Sequence, residues 1–127
     1  MEIKCIITDD EPIARKGLRR HIGKIDFLTI VGECEDAIQL NNMLNSVQAD
    51  LLFLDIEMDG LSGIKLKERV LKLDKIWRIA FVSSHDEKMI ESFGIKTIDF
   101  IRKPAGYMDV KAVLEKVLIE KCENIGI

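Results

Sequence analysis

No stretch of this chain is rich in proline, glycine or serine. Two prolines and 8 glycines are spread over 127 residues, which leaves no candidate linker, low-complexity segment or internal repeat to divide it. A chain of this length fits one domain and buries roughly two thirds of the surface its unfolded form exposes, enough for a core without staples. No apolar run approaches the roughly 20 residues of a membrane helix. Met1-Glu2-Ile3-Lys4-Cys5 enters a strand-like run directly, without the basic segment and apolar h-region of a secretory leader, so a cytoplasmic protein is expected. Three cysteines, Cys5, Cys34 and Cys122, are odd in number, far apart and outside any CxxC pattern. That argues against a disulfide set or a zinc site and for small core or surface residues. Excess positive charge is missing too. A net charge of −3 gives no electrostatic reason to expect this segment to bind nucleic acid.

What is present is a globular composition, 47% hydrophobic and 32% charged, arranged in regular alternation. Five apolar runs are strand candidates: Ile3 to Thr8, Thr29 to Cys34, Leu51 to Asp55, Ile79 to Ser83 and Ile98 to Arg102. Leu51-Leu52-Phe53-Leu54 and Ile79-Ala80-Phe81-Val82 are apolar without alternation, as central parallel strands covered on both faces should be. Helical stripes lie between them. Ala14, Leu18, Ile22 and Ile25 form the first, and Ala37, Leu40, Leu44 and Val47 the second, with Asp36 placed to cap it. Leu66, Val70 and Leu73 follow Ser62, and Met89, Ile90 and Phe93 follow Asp86. Val110, Val113, Leu114, Val117 and Leu118 make the fifth and longest. Five strand–helix units in succession predict an α/β domain, a parallel sheet with helices on both faces. The domain is expected to cover residues 1–123, with 124–127 as a tail or the start of a linker.

Ligands of an open parallel α/β sheet bind beyond the carboxyl ends of the strands. Those ends carry Asp9-Asp10-Glu11, Asp55, Ser83-Ser84 and Lys103-Pro104. Glu35-Asp36, after the second strand, is assigned to helix capping. Three carboxylates on one rim repel one another unless a cation sits among them, and a compact all-oxygen site on short loops suits Mg²⁺. With a hydroxyl at Ser83 and a compact positive charge at Lys103, the set has what phosphoryl transfer needs: a carboxylate nucleophile, a metal and donors for phosphoryl oxygens. Taken singly, an acidic pair is usually a helix N-terminus and a Lys-Pro a turn. It is their shared rim that points to chemistry.

Ile6-Ile7-Thr8-Asp9-Asp10-Glu11-Pro12, Leu54-Asp55-Ile56-Glu57-Met58-Asp59-Gly60-Leu61-Ser62-Gly63, Phe81-Val82-Ser83-Ser84 and Asp99-Phe100-Ile101-Arg102-Lys103-Pro104 together resemble the receiver domain of bacterial two-component response regulators. The resemblance runs from about Ile3 to Lys121. It implies a (βα)5 flavodoxin-like, doubly wound parallel sheet of order 2-1-3-4-5. By the same resemblance Asp55 is the phosphoacceptor. Asp10 directly and Asp9 through water hold Mg²⁺, together with Asp55 and the backbone carbonyl of Glu57. Ser83 is the switch hydroxyl, Ser84 sits beside it at the phosphoryl site, Lys103 is the site lysine, and Phe100 is the aromatic rotamer switch. Glu57 and His85 flank the path of a hydrolytic water and are expected to tune dephosphorylation. The implied partner is a sensor histidine kinase. The implied output is dimerisation or control of an effector through the face of the fourth helix, fifth strand and fifth helix, with DNA reached only through an effector domain outside these residues. Asp55-Ile56-Glu57-Met58 and Ser83-Ser84-His85-Asp86-Glu87 also look like receivers of the LytTR type, whose output is transcription regulation. Asp59 stands where the family often has proline, which leaves φ unfixed in the loop after Asp55. Phe100 replaces the tyrosine of some members and lacks its hydroxyl.

The resemblance describes a phosphoacceptor switch rather than a turnover enzyme. Three rivals share parts of the pattern. A Mg²⁺-dependent phosphatase of the haloacid-dehalogenase type needs an acidic Asp two residues after its nucleophile, where this chain has Glu57. A flavin-binding flavodoxin needs a phosphate loop after the first strand, where Asp9-Asp10-Glu11 would repel the phosphate. A pseudo-receiver that only docks would not need the acceptor-site residue types, all of which are present. Trp77 is expected as a partly buried packing residue just ahead of the fourth strand. Arg15-Lys16-Gly17-Leu18-Arg19-Arg20-His21 is expected as a solvated basic face, with an acidic partner as the alternative.

Overall fold

The computed structural model of the protein describes residues 2–56, 73–84 and 96–124. Within them the chain runs β1 (Ile3–Thr8), α1 (Pro12–Ile22), β2 (Leu28–Cys34), α2 (Ala37–Met43), β3 (Ala49–Asp55), a short 3-10 turn (Leu73–Lys75), β4 (Ile76–Ser83), β5 (Thr97–Arg102) and a C-terminal helix (Tyr107–Asn124). The third and fourth helix stripes, Glu57, Asp59, His85 and residues 125–127 of the expected tail fall outside the described residues, apart from Leu73, which begins the 3-10 turn; Asn124, expected to open the tail, is the last residue of the C-terminal helix.

All five strands are parallel, in the order β2-β1-β3-β4-β5. Successive side chains of a strand point to opposite faces, and the central strands use both. Cys5, Ile7, Leu51, Phe53, Ala80 and Val82 meet Leu18 and Ile22 of α1 and Val110, Val113, Leu114 and Val117 of the C-terminal helix. Ile6, Leu52, Leu54, Ile79 and Phe81 meet Ala37 and Leu40 of α2 on the other side. This division makes the fold doubly wound, and it explains why β3 shows no polar alternation: every residue from Leu51 to Asp55 is buried. Each fully buried Leu or Phe contributes roughly 1.5–3 kcal/mol relative to exposure.

Local chemistry sets the boundaries. The Asp36 carboxylate accepts from Gln39 N at 2.8 Å, capping α2 as expected, and Gln39 Oε1 accepts from Glu35 N at 2.8 Å. At the last helix, Asp109 Oδ2 reaches back to accept from Gly106 N at 2.9 Å. The apolar stripes overran two helices. Ile25 lies past the end of α1, and Leu44 and Val47 lie past Met43, yet all three still pack into the core. β1 spans its expected Ile3 to Thr8, whereas the other four strands begin one to three residues ahead of their apolar runs, and Ala49 and Ile76 already pair as neighbours. Trp77 is therefore inside β4 rather than ahead of it, partly buried as expected.

Candidate functional site

Strand register assembles the site. Thr8 pairs with Leu54, so the next residues, Asp9 and Asp55, stand side by side at the carboxyl ends of β1 and β3. Asp55 pairs with Val82 and Ser83 with Arg102, which brings Ser83 and Lys103 to the same rim. Backbone bonds carry the ladder past the strands: Asp9 N to Cys34 O at 3.1 Å, Ile56 N to Val82 O at 3.3 Å and Lys103 N to Ser83 O at 2.8 Å. The Lys103–Pro104 peptide is cis. The chain leaves β1 toward β2 on one side, and β3 lies on the other. The rim is therefore the switch point at which open α/β sheets place their ligands.

Asp9, Asp55 and Ser83 are buried, while Asp10, Glu11 and Ser84 are exposed. Carboxylate oxygens of Asp9, Asp10, Glu11 and Asp55 all lie within 4.8 Å of one another. Lys103 reaches into this group. Its Nζ lies 3.2 Å from Asp55 Oδ2, 3.2 Å from Glu11 Oε1 and 3.1 Å from Asp9 Oδ2. The first two are hydrogen bonds. The third is a charge contact outside hydrogen-bond alignment, so Asp9 Oδ2 is buried without a hydrogen-bond partner. Burial alone would push the Lys103 ammonium down. The adjoining carboxylates of Asp9, Asp55 and Glu11 outweigh that and hold its pKa well above the ordinary lysine value.

Two supporting contacts were not legible in the sequence. Glu11 is a rim carboxylate to which the motifs assign no role; its backbone N–H donates to Asp9 Oδ1 at 2.9 Å and its side chain holds Lys103. Arg15 belonged to the supposed solvated face, yet its Nη1 donates to Asp9 O at 2.7 Å. The signal for Arg15 was its position four residues after Glu11, which puts both on one side of the first turn. Much of that basic face meets acids of the same chain: Arg15 approaches Glu33 and Glu35, and Arg19 makes two 2.7 Å bonds to Glu33. Phe100 is half-buried and packs against the α2-side core, with its N–H on Asp99 Oδ1 at 2.8 Å. Beside the rim a groove of about 520 Å³ opens between α1 and the turn after β5, lined by Asp9, Glu11, Ile13, Leu18, Lys103 and Pro104 among others.

A family model for the response regulator receiver domain matches residues 5–115. The chain belongs to the response regulator receiver family. Over 124 residues the receiver is 36% identical to the transcriptional regulatory protein BtsR of Salmonella typhimurium, covering 96% of this chain and 51% of that protein. It is 32% identical over 115 residues to the sensory transduction protein LytR of Staphylococcus haemolyticus, covering 91% and 45%. The crystal structure of the response regulatory domain of MrkE from Klebsiella pneumoniae superposes with a TM-score of 0.76 at 27% identity, over 93% of this chain and 97% of that one. The receiver thus spans about half the length of the curated relatives it matches. LytR-type regulators are among its relatives, in keeping with the two-component reading of the motifs.

Proposed function

We propose that this receiver accepts a phosphoryl group on Asp55 from the phosphohistidine of a sensor kinase and, so modified, controls a partner copy or an effector domain that regulates transcription. The observation that carries the reading is the Asp55 carboxylate, 1% exposed at the end of the central strand and 3.2 Å from the Lys103 ammonium. In the transfer an Asp55 oxygen forms the new bond to phosphorus. The P–N bond of the donor breaks, and its electron pair returns to the imidazole, which takes up a proton. Lys103 stays protonated throughout, because its environment raises its pKa. It hydrogen-bonds a phosphoryl oxygen as charge accumulates there. The Ser83 hydroxyl serves a second phosphoryl oxygen, with Ser84 beside it at the open mouth of the site. The groove between α1 and Pro104 opens onto Asp9 and Lys103 and gives the donor a path of approach.

The donor set fits a hard divalent cation. It consists of carboxylate oxygens within 4.8 Å of one another, and it includes the buried Asp9 Oδ2 that no hydrogen bond satisfies. Asp9, Asp10 and Asp55 would hold Mg²⁺, with the Glu57 carbonyl by family resemblance. The bound ion would supply positive charge to the phosphoryl oxygens. Glu57 and His85 are assigned the tuning of phosphoryl lifetime on resemblance alone. The chain acts as a switch rather than as an enzyme on external substrates, and its place is the cytoplasm. No described helix is long and apolar enough to cross a membrane.

Output follows from contacts that differ between two states. Ser83 drawn toward a phosphoryl oxygen vacates space that Phe100 fills by turning further inward. That motion reshapes the face of β5 and the C-terminal helix, where Arg102, Met108, Asp109 and Lys111 are exposed. Both charge signs around an apolar residue suit a two-fold contact between copies. Incubation with acetyl phosphate and Mg²⁺ should add one phosphoryl group by intact mass and move the amide resonances of Phe100 and Arg102. Asp55→Asn should abolish both effects. Continued single labelling of the Asn variant overturns the assignment, and shifts confined to the neighbourhood of Asp55 overturn the proposed route.

A further inference from the structure

We infer that Glu11 is a positioning residue for Lys103. In the resting receiver it holds the ammonium over the acceptor, and it competes with the incoming phosphoryl oxygens for that ammonium. The inference rests on the phosphoacceptor reading of Asp55. An ammonium has three N–H bonds, and three carboxylates, those of Asp9, Asp55 and Glu11, surround Nζ at 3.1 to 3.2 Å. Two of those N–H bonds are committed to Asp55 and Glu11, and the Asp9 carboxylate closes the third side of the ammonium, so a phosphoryl oxygen can approach only by displacing a carboxylate. One of its three contacts must yield.

Burial decides which one. The Asp9 and Asp55 side chains are 1% exposed and fixed at strand ends, whereas that of Glu11 is 63% exposed. Only Glu11 can move into water without leaving a charge stranded in the interior. A second observation frees it for this role. Glu11 is the N-cap residue of α1, but its side chain makes no capping bond, and Pro12 starts the helix with a residue that has no N–H to satisfy. The backbone N–H of Glu11 is bound to Asp9 Oδ1, which anchors the residue while its carboxylate turns away from the helix to Lys103. The exposed carboxylate thus serves Lys103 rather than the helix, as an internal stand-in for the phosphoryl group that will displace it.

Removing the competitor should therefore favour the phosphoryl-bound state. Glu11→Ala spares the start of α1, since the side chain does not cap it. Beryllofluoride affinity at saturating Mg²⁺, measured by titration calorimetry, should rise by about two- to five-fold, the scale of one exposed ion pair. In the resting protein, the isotope-labelled Lys103 ammonium should exchange its protons with water faster in the Ala variant than in wild type. Unchanged or weaker affinity overturns the inference. So does tighter binding with unchanged Lys103 exchange, because loss of a nearby negative charge would then account for the gain. If the wild-type receiver binds no beryllofluoride, the phosphoacceptor reading itself fails, and this inference fails with it. A wild type that binds normally beside an unaltered Ala variant sinks only the role of Glu11.

Discussion

Lys103 Nζ stands 3.2 Å from Asp55 Oδ2, joining the turn after β5 to the end of β3 across 48 residues of sequence. The bond does structural work before any chemistry takes place. Without the ammonium, the buried carboxylates of Asp9 and Asp55 would face each other across one strand spacing. Lys103→Met is therefore expected to lower stability by about 1–3 kcal/mol in the presence of a chelator. That is less than the loss for a fully buried pair, since solvent reaches this rim. Mg²⁺ should recover much of the loss by taking over the charge. Urea midpoints with and without the metal measure both effects, and a midpoint that chelator leaves unmoved would contradict the account.

Metal dependence should separate the proposed roles of the rim residues. Asp10 is an exposed carboxylate of the cluster, whereas Ser83 is a buried hydroxyl at the end of β4. Asp10→Ala should weaken Mg²⁺ binding by tenfold or more, on the order of one charged ligand's contribution, and Ser83→Ala by much less. Phosphoryl labelling should stop in excess chelator. Equal Mg²⁺ affinity of the two variants would remove Asp10 from the ligand set.

The alternation of strands and helices and the carboxylates at the strand ends were legible because both are local. A period of two or of 3.6 residues marks an element, and the residue after a parallel strand lies on the ligand rim by topology. Phe53 and Val82 could be placed in the core on that ground alone. The partners of Lys103 could not. Which of Asp9, Glu11 and Asp55 it touches depends on side-chain reach across three strands, and no sequence period records that. Arg15 illustrates the same limit. Its spacing placed it on the polar side of α1, but only β2 beside the helix brings Glu33 into reach. Leu44 and Val47 misled in the other direction. Their apolar spacing continues the stripe of α2 after the backbone has left the helix.

Thiol chemistry gives a prediction with a definite sign. Cys5 and Cys34 are buried and Cys122 is exposed. A thiol reagent should modify one cysteine in the native protein and all three in denaturant. Burial pushes the Cys5 thiol from 9.0 up to about 12, and burial is also the main cause that raises Cys34 from 9.0 to about 11. Above pH 9.0 the unfolded chain therefore loses thiol protons that the folded chain retains. The unfolded state then binds fewer protons, so stability falls as pH rises through that window, for Cys5 by about 1.4 kcal/mol per pH unit. Cys5→Ala should flatten the slope of unfolding free energy against pH between 9 and 11, whatever its cost at neutral pH. An unchanged slope would show that the thiol does not govern the alkaline loss.

At the end of the sheet opposite the rim that carries Asp55, the C-terminal helix is fastened to three strands. Lys121 Nζ bonds Asp50 Oδ1 at 2.9 Å, and Asp50 Oδ2 accepts from Lys4 N, also at 2.9 Å, so β1, β3 and the helix share one carboxylate. Two cations lie over the ring of Trp77 in β4, Lys121 Nζ at 4.6 Å and the Arg78 guanidinium at 4.4 Å from its centre. Arg78 in turn bonds Glu120, the neighbour of Lys121 on the helix. Each contact is partly open to water, and each contributes little alone: about 0.2–1 kcal/mol for such an ion pair and about 0.5–1 kcal/mol for a cation over an indole. Together they fix the last turns of a helix whose final residues would otherwise fray. Lys121→Met keeps most of the apolar stem of the side chain but removes its charge, breaking the bond to Asp50 and the cation contact with Trp77 at once. The expected result is a loss of about 1 kcal/mol and faster amide exchange at the end of the helix, from Glu120 to Asn124, with exchange at Val110 and Val113 unaltered. Emission from Trp77, the only tryptophan, should change in the same variant and should respond to salt in wild type but much less in the variant. If amide protection at the helix end is the same in both proteins, packing of Val117 and Leu114 alone holds the helix in place.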